Sequence, residues 1–116
     1  MIKAILTLAL FVCLPLGAAE ARYSYPWTFF TYVGSVGGKS VKVISEVFHT
    51  SERARCSSFK KFVRAEFPRI DTTGSKCYVW REETEQAARD SRYDKMNQAR
   101  QYKMRIKKVC FRRCLN

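Results

Sequence analysis

The sequence predicts an α+β domain: a two-layer sandwich in which a small mixed sheet carries two helices on one face, in the order β-β-α-β-α-β, stabilised by disulfides. Three observations predict it. Segments rich in Val, Ile, Thr and aromatic residues alternate with period two; two other segments carry apolar residues at helical steps of three and four; and an even set of four cysteines remains once an amino-terminal leader is set aside. With 116 residues, 47% of them apolar, the chain is too hydrophobic for a charged disordered tail and holds one domain with a modest core.

Residues 1–21 read as a signal peptide. Lys3 supplies a positive start, Ala4 to Leu16 an apolar run, and Ala19-Glu20-Ala21 a small-x-small cleavage signal. The run falls short of the roughly 18 to 20 residues that span a bilayer, and Pro15 and Gly17 break its end. Cys13 follows Val12, where a lipoprotein anchor calls for a small residue. Cleavage near Ala21 leaves residues 22–116 as a single exported domain, secreted or periplasmic.

Within that domain, Trp27 to Val33 reads as a strand, and Gly34-Ser35-Val36-Gly37-Gly38 as a five-residue hairpin loop. Ser40 to Phe48 is the second strand, with Val41, Val43 and Val47 on one face and Ile44 and Phe48 on the other, which suits a central position. Thr50 or Ser51 can cap a first helix, with Glu52 in its first turn and a stripe of Cys56, Phe59, Val63 and Phe67 that Phe62 widens; Pro68 ends it. Asp71 to Ser75 is rich in turn formers, and Lys76 to Arg81 is a third strand with Cys77 and Val79 opposed to Tyr78 and Trp80.

Thr84 to Gln101 is a second helix, free of Gly and Pro, with a weak stripe of Ala88, Tyr93, Met96 and Ala99. Met104 to Phe111 is read as a strand whose alternation slips at Lys107-Lys108, as a bulge would make it. A continuation of the second helix is the alternative, because Tyr102, Ile106 and Val109 also fit helical spacing.

Cys56, Cys77, Cys110 and Cys114 are expected to form two disulfides in an oxidising compartment. Three pairings are possible; a helix-to-sheet bridge from Cys56 is the first expectation, and Cys110 with Cys114 can close a small terminal loop. No metal or cofactor is expected, since no C-x-x-C pair occurs and His49 lies outside any zinc-ligand spacing.

Catalytic motifs are weak. Gly38-Lys39-Ser40 ends like a phosphate loop, but Val33 stands where the leading glycine belongs and a strand follows in place of a helix. Glu82, Glu83 and Glu85 suit the positive end of the second helix. His49, beside Glu46 and Arg53 in a small basic domain, resembles small microbial ribonucleases in size and charge, which implies acid-base cleavage of RNA, although the order of elements differs. From Val41 to Phe111 that order is similar to small envelope domains that bind peptidoglycan, except that a turn stands where their next strand would be.

The charge is the clearest functional signal. The chain has 22 Lys and Arg against 10 Asp and Glu, a net +12, and the leader contributes nothing to it, holding one lysine and one glutamate. From Arg89 onward ten basic residues face two acidic ones, so two thirds of the excess sits in the last quarter. Lys103, Arg105 and Lys107 would form a stripe on one strand face, with Lys108, Arg112 and Arg113 beside it. Tyr23 and Tyr25, ahead of Pro26, are free to serve a surface, whereas Trp27, Phe29 and Phe30 are expected in the core. These features predict a non-enzymatic domain whose basic carboxy-terminal face binds an anionic polymer, a membrane surface or an acidic protein; nucleic acid is not favoured. An immunity or inhibitor protein that binds an acidic effector is one alternative, and a secreted nuclease or cationic toxin the other.

Overall fold

A computed structural model describes residues 25–51 and 53–112. The leader, Glu52, Tyr23, Arg113 and Cys114 lie outside them. The elements are β1 (Trp27–Val36), β2 (Lys39–Ser45), β3 (Phe48–His49), α1 (Cys56–Glu66), β4 (Asp71–Glu82), α2 (Glu85–Gln101) and β5 (Arg105–Val109). β1 lies between β4 and β2, antiparallel to both; β5 adds to the outer side of β2 in parallel, and β3 continues along the β2 side of β1. The result is the expected α+β class, a mixed sheet with two helices and a disulfide, but with five strands in place of four, because the expected second strand is divided into β2 and β3.

The layering differs from expectation. Successive β1 side chains point to opposite faces. Phe30 and Tyr32 join Val41, Val43, Phe48 and the α1 residues Phe59 and Val63 in one core. Phe29 joins Ile44, Trp80, Ile106 and Met96 of α2 in another. The helices therefore cover opposite faces, and the sheet is the middle of three layers. The cause is topological. β2, β4 and β5 run in one direction, so α1 connects β2 to β4 across β1, while α2 returns from β4 to β5 on the far side. Two crossovers of the same hand in opposite directions must use opposite faces.

The hairpin is tighter than expected. Val36 pairs with Lys39, so only Gly37 and Gly38 turn the chain, at φ 57° and 78°, the backbone of a two-residue hairpin. Gly34 is thereby a strand residue. A Cβ there would lie 2.5 Å from Ile70 Cγ2 and 3.0 Å from the Asp71 carbonyl, so the glycine permits β4 to approach where its pairing with β1 shifts after Val33.

A one-residue insertion at Glu46-Val47 separates β2 from β3: Thr31 pairs with Ile44, but Thr28 pairs with Phe48. It reverses the expected faces, bringing Phe48 to the α1 core and Val47 to the α2 core. Ser45 closes the gap, its hydroxyl accepting from Phe30 N–H at 2.8 Å and donating to the Glu46 carbonyl at 2.9 Å.

α1 starts later than the expected Thr50 or Ser51 cap. Thr50 N–H bonds the Pro26 carbonyl at 3.0 Å, which keeps the chain beside β1. Ala54 then enters the core, and Arg55 is an N-cap without a side-chain hydrogen bond. Cys56, the first helical residue, is disulfide-bonded to Cys77 of β4 with the Cα atoms 5.9 Å apart, as the helix-to-sheet expectation required. Cys110 is also disulfide-bonded. The expected turn at Asp71 to Ser75 belongs to β4, with Gly74 at φ 70°; Thr73 N–H donates to the Asp71 carboxylate at 2.8 Å and holds its pKa below the ordinary value.

α2 begins where the sequence places it, with the Thr84 hydroxyl accepting from Ala87 N–H. Its end is a Schellman turn: Lys103 N–H bonds Arg100 O, Met104 N–H bonds Ala99 O, and Lys103 takes φ 56°. That turn ends the helix, so the helical alternative for the last segment fails. β5 also lacks the expected bulge, pairing in unbroken register from Val41 with Arg105 to Ser45 with Val109. The apparent slip arises because Ile106 packs toward α2 and Val109 toward α1.

Candidate functional site

β5 is an edge strand, and strand alternation divides its cations. Arg105 and Lys107 share the face of Val109, with the Lys107 ammonium 5.1 Å from the Phe67 ring centroid, while Lys108 shares the face of Ile106. All three are exposed, and none forms an ion pair among the described residues. Lys103 does not extend this row, because it is the left-handed residue of the turn before the strand. The expected three-residue stripe is thus a two-residue row, with Lys108 on the other face. Charged side chains on an edge strand also discourage sheet-to-sheet pairing.

Beyond β5 the chain folds back over the bulge. The N–H groups of Phe111 and Arg112 donate to the Glu46 carboxylate at 2.9 and 3.0 Å. Phe111 then packs edge-on against Phe30, Phe59 and Phe62, and the Arg112 guanidinium sits 5.1 Å from the Phe48 ring centroid. Arg112 therefore lies apart from the Arg105–Lys107 row. It lines an open depression of about 550 Å³ with Trp27, Val47, Phe48 and His49. Val47 also lines a smaller one of about 200 Å³ with Glu46, Arg89 and Arg92. Half-buried Arg92 donates to the Ser45 carbonyl at 2.8 Å; burial first, and the Arg89 charge second, lower its pKa, against the opposing effect of Glu46.

The residues that prompted a ribonuclease comparison have separate engagements. His49 packs edge-on to Trp27 at 5.0 Å, while Glu46 receives the two backbone N–H groups. Glu85 pairs with Arg89 at 2.8 Å in the first turn of α2. Of the opening aromatics, Phe29, Phe30 and Tyr32 are fully buried, and Tyr25 is about half exposed ahead of β1. Among the described residues no three His, Cys, Asp or Glu side chains gather as a metal site.

The structure also assembles a group that sequence reasoning missed. On the α2 face, register aligns Lys76, Val33 and Lys42 across β4, β1 and β2, with Tyr78 beside Thr31 in the next row. Tyr78 is 5.8 Å from Trp80, whose indole N–H donates to Thr31 Oγ1 at 2.9 Å. Lys95 of α2 holds its ammonium 3.9 Å from the Trp80 ring centroid. Lys42 is partly buried nearby; burial first, and the Lys95 charge second, push its pKa below the ordinary lysine value. One signal was available: Lys42 interrupts the apolar run of Val41, Val43 and Ile44 in the middle of β2.

Fold and surface together define a small disulfide-bridged α+β domain with a cationic edge strand. Comparison with protein families, curated proteins and solved structures finds no match to the chain.

Proposed function

We propose that the protein is an exported, non-enzymatic domain, secreted or periplasmic after signal-peptide cleavage near Ala21, that binds an anionic component of the cell envelope through the rim formed by β5. The observation that carries this reading is the exposure of Arg105, Lys107 and Lys108 on one edge strand without ion-pair partners among the described residues. Cations left unpaired on an ordered edge keep their charge available to a ligand, with no further backbone ordering required, although each side chain still loses rotamer freedom. The Cys56–Cys77 disulfide is consistent with an extracellular or periplasmic location.

The test is retention of the oxidised protein on envelope material at two salt concentrations. Binding is expected to weaken steeply from low to physiological salt, as counterion release dictates. Changing Arg105, Lys107 and Lys108 together to Gln should weaken retention while the melting transition stays in place. Unchanged retention by this variant would reduce the rim to edge protection.

A further inference from the structure

On the side of the sheet that carries α2, one corner is left open. α2 starts beside the end of β4, where Glu82 pairs with Trp27, and leads into the start of β5, where Arg105 pairs with Val41. It thus crosses the sheet diagonally, over Phe29, Ile44 and Trp80, and leaves the corner at Lys76 and Tyr78 open, with Val33 and Lys42 partly covered at its margin. Tyr78 is 47% exposed, Lys76 is exposed and Lys42 partly so.

We propose that this corner is a second binding surface, a platform on which Lys42, Lys76 and Lys95 hold the charged groups of an acidic polysaccharide while a sugar ring lies against Tyr78. The proposal rests on the anion-binding reading above, but assigns the ligand class and a different face.

Four features carry it. None of the three lysines forms an ion pair among the described residues, so three unpaired cations share one side of the sheet with an exposed aromatic ring. The Lys95 ammonium sits over the Trp80 ring, and its charge acts unfavourably on the partly buried Lys42, a repulsion that a bound anion would relieve. The cations are lysines, point charges suited to single carboxylate or sulfate groups; there is no guanidinium fork for planar recognition. The surface is a shallow sheet face, which suits a chain making repeated contacts. Lys76 and Lys42 stand two strands apart, about 9.5 Å at the backbone, the scale of a disaccharide.

The same geometry disfavours single-stranded nucleic acid. Stacking of successive bases requires a series of free ring faces. Here Lys95 sits over Trp80, so the two neighbouring rings of β4 do not offer a series of free faces.

The experiment uses the oxidised protein with hyaluronan and polygalacturonate as probes, dextran as the uncharged control and oligo(dT) as the nucleic-acid competitor. Lysine acylation read by mass spectrometry is expected to show Lys42 and Lys95 protected by an acidic polysaccharide and unprotected by dextran, a readout on the unmodified sequence that no folding defect can confuse. In titrations, Lys42→Gln with Lys95→Gln should weaken binding about tenfold or more. Tyr78→Ser should weaken it with the salt dependence unchanged, and the triple Gln variant of β5 should still bind. No binding to either acidic polysaccharide, protection confined to Lys107 and Lys108, or tighter binding of oligo(dT) would each overturn the platform; the second of these would leave the rim reading standing.

Discussion

Gly34→Ala tests the packing of β4 on β1 most directly. The introduced Cβ would lie 2.5 Å from Ile70 Cγ2 and 3.0 Å from the Asp71 carbonyl oxygen, with the Tyr32 ring carbon Cε1 at 3.3 Å. Carbon atoms in good contact stand about 3.5–4.0 Å apart, so Ile70 must retreat by about 1 Å. It has little room, being 6% exposed and packed in the α1 core, and the carbonyl belongs to the residue that pairs with Ser35. Forcing a methyl into such a site costs about 1–3 kcal/mol. Replacing glycine recovers about 0.4–1 kcal/mol through the unfolded chain, leaving a net loss of about 1–2 kcal/mol. Urea unfolding followed by circular dichroism measures it as a lower midpoint at unchanged slope. Ile70→Ala provides the internal check: it removes Cγ2, so Gly34→Ala should cost less in that background than in the wild type. A variant as stable as the wild type, or additive losses in the double mutant, would refute the close approach.

Three other outcomes follow from particular residues. Tyr32 is fully buried and its hydroxyl has no hydrogen-bond partner among the described residues, so Tyr32→Phe should stabilise the fold by about 1 kcal/mol, seen as a raised midpoint. Lys103 takes the left-handed conformation at the end of α2, and Lys103→Gly should relieve about 1–2 kcal/mol of strain less about 0.4–1 kcal/mol of unfolded-state entropy, raising Tm by a few degrees. Lys42 has a folded-state pKa below its ordinary value, so from that lowered pKa up to the ordinary one the unfolded chain binds more protons and stability rises with pH. Urea midpoints taken through the alkaline range should show this rise, and Lys42→Gln should flatten it.

Much of the fold was legible because its elements are short and locally consistent. Thr84 caps α2 as expected, Phe59 and Val63 face the core, and the Gly37-Gly38 pair turns a hairpin. The errors have a common source: partners distant in sequence. The alternation from Val41 to Phe48 shows an amphipathic strand, but a one-residue insertion opposite β1 is visible only in the pairing, and it exchanges the faces of Val47 and Phe48. At Lys107-Lys108 the reverse occurred: a break in polarity suggested a bulge, where the strand is regular and its two apolar residues serve different cores. A Schellman turn built on a lysine lacks the glycine that would mark it.

The charged surface shows the same limit with a functional consequence. The concentration of cations after Arg89 located β5 as a basic edge, because adjacent residues stay together in any fold. It did not locate Lys42, Lys76 and Lys95, which lie on three elements and meet only through sheet order. Their meeting depends on the crossover: β4 and β5 are parallel strands separated by β1 and β2, so α2 must traverse the sheet to join them. A 17-residue helix crossing diagonally covers one band and leaves a corner on either side. At the β4 corner the exposed positions Lys76 and Tyr78 are occupied by a lysine and a tyrosine, where serine or threonine would have sufficed for solubility. A cation held over Trp80 beside a second, partly desolvated one is a destabilising arrangement in the free protein, and an anionic ligand would turn that repulsion into affinity.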